Sequence, residues 1–378
     1  MISSIEIKNF KCFENSIINL GDLTVLSGSN SVGKTSIIQA LLLTKISIDK
    51  LNQYGLWTDE KQSAESKYRI FVPLNGKYFM NLGNTKEVLT RDVNSNEISL
   101  KLTDSQKSSH LLLSYKAEDN LDDFYDLELT PNWKNENSFD NLKREFYYLN
   151  AERLGPRLSY DVDQLDYFHV GWQGEFTVQV LSQLKEESIT AVDKRGYKDI
   201  EDAKLRTQVR AWMNRIIPGF YLDDALLEGK LKKAHVTYSK SSPTNVGFGI
   251  SYVLPIIVNG LIAKTDSLFI VENPEAHLHP AGQSQIGRFL GMLSNAGLQV
   301  IVETHSEHVI NGMRLSQLID GESHKIINFL SKDENNKVTV REISVNASAD
   351  LDSYPVGFFD QEQRDIEQLI VLKRVSKR

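Results

Sequence analysis

The segment GSNSVGKT, residues 28–35, is a complete phosphate-binding loop and constrains the fold more than any other part of the chain. The residues before it, DLTVLS at 22–27, predict a short buried strand, and those after it, SIIQALLLT at 36–44, predict an apolar helix. In such a unit the glycines let backbone N–H groups close around phosphate oxygens at the positive end of the helix. The sequence therefore predicts a nucleoside triphosphate site on an α/β sheet.

The polar residues of the loop have expected roles at a nucleotide. Lys34 is expected to reach the β- and γ-phosphates, and the Thr35 hydroxyl is expected to ligate Mg²⁺. The alternative is a glycine turn that happens to precede Lys-Thr, and the flanking strand and helix disfavour it. ATP and Mg²⁺ are thus the expected cofactors. The expected nucleotide contacts of the loop are Gly28, Asn30, Ser31, Gly33, Lys34, Thr35 and Ser36.

The composition of the chain limits which binding partners and which cellular compartment we expect. With 43 basic and 50 acidic residues, the net charge is −7, which gives no overall attraction to nucleic acid and leaves a local basic patch open. The lone Cys12 excludes an internal disulfide framework and is typical of a reducing cytoplasm. The first residues lack the pattern of a signal peptide, and the longest apolar run, 250–263, is too short for a membrane span. We therefore expect a cytoplasmic protein without a membrane partner.

Two α/β ends flank a mixed insertion. We predict one core from residues 1–45 and 241–378 and an insertion at 46–240, with a β-rich meander at about 68–129 and a helical part at about 176–220. The strands of the meander are expected in the short runs YRIFVPL, KYFMNL, EISLKL, HLLLSYKA and FYDLEL.

Two further segments of the insertion have a clear pattern. Residues 131–140, PNWKNENSFD, predict a loop. An amphipathic helix that packs on the core is predicted by the stripe Leu205, Val209, Trp212, Met213 and Ile216.

The second half of the expected site follows two more apolar strands. LFIVE, residues 268–272, ends in Glu272, and a carboxylate at the end of such a strand orients Mg²⁺. VIVETHS, residues 300–306, ends in a polar cluster that contains His305. NVGFGIS, residues 245–251, combines glycines with a serine at the start of an apolar helix, which is typical of an anion-binding helix end.

In this order along the chain, GSNSVGKT, NVGFGIS, LFIVENPEAHLHP and VETHS resemble the motifs of an ABC-type ATPase. The similarity is closest to the compact RecF-like branch and to the overcoming-lysogenisation-defect (OLD) branch used in bacterial phage defence. The opening IEIKNFKCFENSIINL resembles the first strands of those heads, where the basic residue matching Lys11 lies near the nucleotide. SYPVGFFDQ, residues 353–361, resembles the terminal P-x-G-F-F-D-Q segment of a poorly characterised ATPase family in that branch. The implied fold is α/β, an ABC-type P-loop ATPase head with a mixed α/β insertion and a β-rich arm.

The resemblance implies a role for each matching residue. Glu272 matches the Walker B acid, residues 276–279 match the D-loop, and His305 matches the switch histidine, which senses the γ-phosphate and polarises the attacking water. The residues that match the signature motif, which contacts the γ-phosphate bound by a second subunit, are Gly247, Gly249 and Ser251.

One departure from the family pattern concerns catalysis. Asn273 stands where many ABC ATPases carry the catalytic glutamate. Because asparagine cannot accept a proton, either Glu275 acts as the base or hydrolysis is slow. The expected catalytic residues are Glu272, Glu275 and His305, and the expected metal ligands are Thr35 and Glu272.

Some histidines allow another interpretation. His277 with His279, and His305 with Glu303 and His308, have spacings that occur among metal ligands. The helical HExxH pattern of zinc enzymes is absent, and each group lies inside an ABC motif, so a dedicated transition-metal site is disfavoured.

Two other pairs of residues leave alternatives open. Arg153 and Arg157 face phosphate or DNA in one interpretation, and cap or pair within the core in the other. Phe358 and Phe359 are either an anchor for a partner protein or part of the core.

The expected function is that of an ATPase that binds and hydrolyses Mg²⁺-ATP and associates around ATP as a dimer or higher oligomer. It is expected to be a sensor or regulator of a separately encoded effector, such as a nuclease or toxin, in prokaryotic defence against phage. About seventy residues follow His305, which we expect to be too few for a nuclease domain. The alternatives are a RecF-like repair ATPase that clamps duplex DNA and an assembly protein that binds ATP without appreciable turnover.

Overall fold

The computed structural model describes residues 1–55, 69–91, 93–106, 109–117, 124–134, 139, 142, 145–188, 192–321 and 323–375. Parts of the predicted meander and half of the predicted loop at 131–140 lie outside the described residues.

The strands are short and alternate with helices mainly in the second half of the chain. The strands are β1 (Ile2–Phe10), β2 (Phe13–Asn19), β3 (Leu23–Gly28), β4 (Ile70–Pro73), β5 (Glu97–Asp104), β6 (His110–Lys116), β7 (Asp126–Lys134), β8 (Phe146–Leu149), β9 (Tyr160–Asp161), β10 (Leu222–Glu228), β11 (Lys233–Tyr238), β12 (Leu268–Glu272), β13 (Gln299–Glu303), β14 (Lys325–Lys332) and β15 (Val338–Ser344). The helices are α1 (Lys34–Gln53), α2 (Thr85–Val88), α3 (Thr177–Leu184), α4 (Val192–Arg195), α5 (Leu205–Ile216), α6 (Phe248–Ile262), α7 (Pro280–Asn295), α8 (Glu307–Ile319) and α9 (Gln361–Val375).

A central sheet carries the strands that precede the predicted site motifs. Its order is β15-β14-β3-β13-β12-β8, in which all pairs are parallel except β14 with β15. The register pairs Glu272 of β12 with Glu303 of β13, and Glu303 with Leu26 of β3. Because the carboxyl ends of parallel strands meet at one edge of a sheet, the ends of β3, β12 and β13 lie together beside the phosphate-binding loop.

A second sheet, in the order β2-β1-β5-β6-β7-β4, is antiparallel and forms the β-rich arm. It joins β1 and β2 of the predicted core to strands of the predicted insertion, while β8 of that insertion lies in the central sheet. The sheets therefore cross the proposed boundaries at residues 46 and 240, and the division into core and insertion stays a prediction. A third, smaller antiparallel sheet has the order β10-β11-β9.

Four of the five runs of the meander contain the strands β4 to β7, but the KYFMNL run does not form a strand. Lys77–Phe79 is instead a 3-10 turn, in which Tyr78 has a φ of 54°. The Tyr78 ring packs edge-on against Phe146 and Trp172, with ring centroids 5.4 and 4.5 Å apart, and this burial holds the turn.

The predicted loop at 131–140 also begins too early. β7 continues to Lys134, because it pairs with β6 as far as His110 opposite Lys134. A polar composition therefore did not prevent strand formation where a neighbouring strand supplied hydrogen bonds.

The apolar core lies on both faces of the central sheet. One cluster contains the predicted helix stripe on α5, which is confirmed as core because its side chains are at most 3% exposed. The other contains α1 and joins it to the arm, so the helix that follows the phosphate-binding loop is held on several sides. None of the helices in the described ranges is both long and apolar enough to cross a membrane.

Candidate nucleotide-binding site

The phosphate-binding loop has the backbone shape that an anion nest requires. Gly28, Ser31 and Gly33 have φ angles of 139°, 61° and 102°, which turn successive N–H groups toward one space. A Cβ at Gly28 would lie 2.2 Å from the carbonyl oxygen of Leu330 on β14, so only glycine fits there. Helix α1 begins at Lys34, and its first N–H groups face the same space.

The Lys34 side chain lies inside this loop. Its Nζ donates hydrogen bonds to the carbonyl oxygens of Gly28 and Ser29, over 3.1 and 2.7 Å. Burial lowers the pKa of Lys34, and the nearby charge of Glu303 partly opposes this shift. Of the other predicted loop contacts, Asn30, Ser31 and Thr35 are exposed and Ser36 is half-buried.

Thr35 meets a carboxylate that sequence reasoning did not assign to the site. The Thr35 hydroxyl lies 3.2 and 3.1 Å from Oε1 and Oε2 of Glu303 and donates to this carboxylate. Glu303 is buried at the end of β13, directly beside Glu272 in the register of the sheet. Burial, followed by the charge of Glu272, raises the pKa of Glu303 to about 7. The signal in the sequence was a carboxylate, Glu303, at the end of the apolar strand VIVE. In the sheet this strand, β13, lies next to β3, which leads into the phosphate-binding loop.

Glu272 is fixed by residues from β8 and the segment after it. Tyr148 donates its hydroxyl to Oε1 of Glu272 over 2.7 Å, and burial raises the pKa of this carboxyl. Arg153 Nη1 donates to the carbonyl oxygen of Glu272, and its Nη2 donates to that of Asn273, both over 2.6 Å. Arg153 is therefore a buried residue of the core that holds the end of β12. Arg157 is exposed and does not share this role.

The loop after β12 is tied to the loop after β13 through Glu275. Oε1 of Glu275 accepts the backbone N–H of His305, and Oε2 accepts the Thr304 hydroxyl, both over 2.8 Å. Asn273 has a φ of 43°, and its backbone N–H donates to the carbonyl oxygen of Glu303 over 2.8 Å. The Asn273 Oδ1 is buried without a hydrogen-bond partner. The predicted Walker B and switch segments are thus one connected unit.

His305 faces solvent next to the C-terminal segment. It lines a cavity of about 380 Å³ together with Glu275, His308 and Phe359. Burial of part of the ring and the nearby Lys34 charge lower the pKa of His305, and Glu275 acts in the opposite direction. His305 is therefore close enough to Lys34 for the lysine charge to act on its pKa.

Lys11 borders the loop, as the resemblance implies. Its Nζ donates to Oε1 of Gln39 on α1 over 2.7 Å, and burial lowers its pKa. The next residue, Cys12, is so close to the loop that a Cβ on Gly33 would lie 2.6 Å from its Sγ. A direct contact between Lys11 and a nucleotide stays a prediction.

The residues that match the signature motif do not share one environment. Gly247 is exposed at the start of α6, and a Cβ there would meet no atom within 4 Å. Gly249 is buried, and a Cβ there would lie 2.9 Å from the carbonyl oxygen of His277, in the predicted D-loop. Ser251 is only 7% exposed and faces the interior, where the ring of Tyr160 lies nearby. Ser251 is therefore buried in the single chain, and its contact with a second subunit stays a prediction.

The spacings His277 with His279, and His305 with Glu303 and His308, allowed a transition-metal site as an alternative interpretation of the sequence. Within the part of the chain that the structure describes, no group of three His, Cys, Asp or Glu side chains could hold a metal ion. The carboxylates of Glu272 and Glu303 with the Thr35 hydroxyl form a different donor set, one of oxygens alone, which is the set that Mg²⁺ prefers.

Two families match successive parts of the chain. The family described as "AAA domain, putative AbiEii toxin, Type IV TA system" matches residues 23–311, which contain the phosphate-binding loop, β12 and β13. The family described as "Protein of unknown function (DUF3696)" matches residues 322–369, which contain the P-x-G-F-F-D-Q segment.

One similar protein is the endonuclease GajA of Bacillus cereus (strain VD045). It is 24% identical over 356 residues, which cover 84% of this chain and 57% of that protein. The chain therefore spans little more than half the length of this relative.

Solved Smc heads are similar in structure at low identity. An Smc head domain with an extended coiled coil, bound to the C-terminal domain of ScpA derived from Pyrococcus furiosus, is 9% identical, with a TM-score of 0.49 over 97% of this chain and 99% of that chain. An SmcHead bound to the C-winged helix domain of ScpA is 12% identical, with a TM-score of 0.48 over 91% of this chain and 98% of that chain.

The first family covers more than half of the chain, and its match includes both halves of the site. The protein is therefore an ATP-binding ATPase with the α/β fold of an ABC-type P-loop head of the OLD and RecF-like kind. The chain belongs to the family described as "AAA domain, putative AbiEii toxin, Type IV TA system".

Proposed function

We propose that this ATPase hydrolyses Mg²⁺-ATP between two copies of the chain and regulates a separately encoded effector in prokaryotic defence against phage. The observation that carries the hydrolytic part is the contact between the Thr35 hydroxyl and Glu303, beside Glu272 and one residue from Lys34. This contact brings a cation site next to a phosphate site, which is the arrangement that phosphoryl transfer requires.

The residues present fit a magnesium nucleotide. The loop offers N–H donors, Lys34 offers a cation, and Thr35, Glu272 and Glu303 offer oxygen ligands. When bound, Mg²⁺-ATP supplies the γ-phosphoryl group and a cation that neutralises the charge on it. Two buried carboxylates side by side are costly without a cation, so the apo site favours binding of one.

Hydrogen bonds to the phosphate-binding loop hold the Lys34 side chain. Its Nζ donates to the carbonyl oxygens of Gly28 and Ser29, at the mouth of the nest. Those carbonyls are weaker partners than an anionic phosphate oxygen, since charge-assisted hydrogen bonds are roughly twice as strong as neutral ones. We therefore propose that Lys34 exchanges these carbonyls for phosphate oxygens when the nucleotide binds.

In this proposal Glu275 and His305 act on the attacking water. Glu275 accepts the backbone N–H of His305, so its carboxylate is held at the residue that carries the imidazole. Asn273 cannot accept a proton, and Glu275 is the next carboxylate along the same loop. We assign to Glu275 the role of general base and to His305 the role of orienting water and sensing the γ-phosphate. We propose that hydrolysis is slow, because both oxygens of Glu275 already accept hydrogen bonds from the segment after β13.

A second copy of the chain completes the site in this proposal. The start of α6 supports it, because Gly247 and Phe248 are exposed there, next to the D-loop that contacts Gly249. A helix N-terminus that faces solvent can approach an anion held by another subunit. We assign Gly247 and the N–H groups of this first turn to the contact, rather than the buried Ser251.

The role in defence rests on the resemblance to the OLD branch and on the similarity to GajA. That relative is named an endonuclease, and the chain spans little more than half of its length. By analogy we propose that this chain acts together with an effector that cleaves nucleic acid or is otherwise toxic. The net charge of −7 disfavours the alternative of a clamp on duplex DNA.

The experiment has three readouts on the same purified protein. Titration with a fluorescent ATP analogue measures binding, phosphate release measures turnover, and native co-purification from the host identifies the effector. We expect saturable Mg²⁺-dependent binding, slow turnover and one stable protein partner. Tight ATP-dependent binding to duplex DNA without a partner would replace this proposal with the clamp, and cleavage of DNA by the isolated chain would show that it is itself the nuclease.

A further inference from the structure

The apolar side chains of helix α9, Gln361–Val375, are exposed to solvent and are not covered by the rest of the described chain. Each residue from Gln361 to Lys373 is exposed. The apolar side chains are between 46 and 64% exposed, namely Ile366, Leu369, Ile370, Val371 and Leu372. A helix with so much exposed apolar surface marks an interaction site, because water disfavours such a surface.

The base of α9 is fixed to the core. Phe358 is buried and packs edge-on against Phe329 of β14, with ring centroids 5.4 Å apart. Asp360 accepts the N–H of Gly357 over 3.0 Å and pairs with Arg364 in the first turn of the helix over 2.7 Å. Phe358 is therefore part of the core and not a partner anchor, and the helix that follows starts from a rigid point.

The pattern of α9 is self-complementary when two copies run antiparallel. Glu362, Ile366, Leu369 and Lys373 follow one another at spacings of four, three and four residues, which places them on one seam of a helix. In an antiparallel pair, Ile366 of each helix meets Leu369 of the other, which gives two equivalent contacts at the centre. Glu362 then meets Lys373 at both ends. A parallel pair would instead set Glu362 against Glu362 and Lys373 against Lys373, and like charges at such positions are destabilising.

We propose that α9 forms an antiparallel two-helix contact with α9 of a second copy of this chain. The contact has two-fold symmetry, so each copy contributes the same surface. It goes beyond the proposed ATP-dependent dimer, because no nucleotide takes part in it and the seam lies outside the phosphate-binding loop. It holds two copies together before ATP binds and raises the local concentration of one head near the other.

The test is the association of the full chain without nucleotide, measured by sedimentation velocity over a range of concentrations. We expect a dimer that Leu369→Asp weakens by at least about tenfold, because a charge would enter the apolar centre of the seam. The matched control is Gln368→Asp, which adds the same charge about 100° around the helix from Leu369, off the seam, and should leave the association unchanged. Circular dichroism verifies that both variants stay folded.

Charge exchange tests the antiparallel arrangement directly. Glu362→Lys alone and Lys373→Glu alone should each weaken the dimer, and the double variant should restore it, because the opposite pairs are regenerated. A monomer without nucleotide, or a dimer that Leu369→Asp does not weaken, overturns the proposal. Single charge variants that weaken the dimer without rescue in the double variant overturn the antiparallel pairing. Adding ATP to the Leu369→Asp variant distinguishes the α9 contact from the ATP-dependent contact. A dimer that forms only with ATP belongs to the ATP-dependent contact of the proposed function.

Discussion

The Thr35 hydroxyl donates to Glu303, whose two carboxylate oxygens lie 3.2 and 3.1 Å away, and this contact joins the phosphate-binding loop to β13. Glu303 lies beside Glu272 in the sheet, and the two carboxylates are both buried. The raised pKa of Glu303, about 7, follows from this burial and from the charge of its neighbour. A bound cation would remove the repulsion, and the same two residues would then hold it together with Thr35.

Lys34→Ala should weaken ATP binding by at least about tenfold, because it removes the only cation inside the loop among the described residues. Lys116→Ala, which removes an exposed lysine at the end of β6, is the matched control. Titration with a labelled ATP analogue measures both variants. Equal affinities for Lys34→Ala and the wild type would remove Lys34 from the site.

Glu303→Gln should reduce the effect of Mg²⁺ on nucleotide binding, because a neutral amide ligates Mg²⁺ more weakly than a carboxylate. The shape of the side chain is kept, so the Thr35 contact and the fold should survive. Binding of ATP is measured with Mg²⁺ and with EDTA, and Glu334→Gln, which changes an exposed glutamate between β14 and β15, is the control. A Mg²⁺ dependence that is the same in Glu303→Gln and in the wild type would show that Glu303 only positions Thr35.

Arg153→Met should lower the stability of the protein and also its turnover. The guanidinium donates to the carbonyl oxygens of Glu272 and Asn273, and methionine would leave both without this partner. We expect a loss of about 1–3 kcal/mol in the free energy of unfolding, the usual penalty for an orphaned buried polar group. Arg157→Met removes an exposed arginine of the same segment and should change neither quantity. Urea unfolding and phosphate release measure the two effects, and a stable but inactive Arg153→Met would place Arg153 in the chemistry instead.

Gly247→Arg should block ATP-dependent self-association and leave ATP binding by the single chain intact. A side chain at Gly247 meets no atom within 4 Å, so the fold accommodates it, while the surface that we assign to the second subunit becomes bulky. Gly229→Arg is the control, since Gly229 also has open space around it and lies in the β10–β11 turn. Light scattering with and without Mg²⁺-ATP compares them, and an unchanged response of Gly247→Arg would move the interface elsewhere.

The sequence predicted those parts of the site that are local. Strand ends and helix starts leave patterns in a few consecutive residues. Such patterns predicted the phosphate-binding loop with its strand and helix, Glu272 at the end of β12 and His305 after β13. Contacts between distant segments could not be predicted in this way. The role of Arg153 depends on β8 lying next to β12, and the contact of Thr35 with Glu303 depends on β13 lying next to β3.

The signature-like segment shows a different limit. A motif states which residue types occur at which spacing, but not which side of a helix is covered by the rest of the fold. Ser251 is buried because α6 packs with the neighbouring helices and with the segment around Tyr160. Phe358 is similar, since its burial depends on Phe329, which lies on β14.

Glu275→Gln should abolish most of the hydrolysis and leave ATP binding intact, because glutamine cannot accept the proton of the attacking water. An amide still accepts the His305 N–H through its oxygen, so the connection between the two loops is kept and the change is mainly one of charge. Asn273→Ala is the comparison, since this residue cannot act as a base and its Oδ1 has no hydrogen-bond partner. We expect a loss in phosphate release of at least about a hundredfold for Glu275→Gln and a milder change for Asn273→Ala. If Glu275→Gln retains most of the rate while His305→Ala loses it, then His305 alone positions the water and Glu275 only holds the loop that carries it.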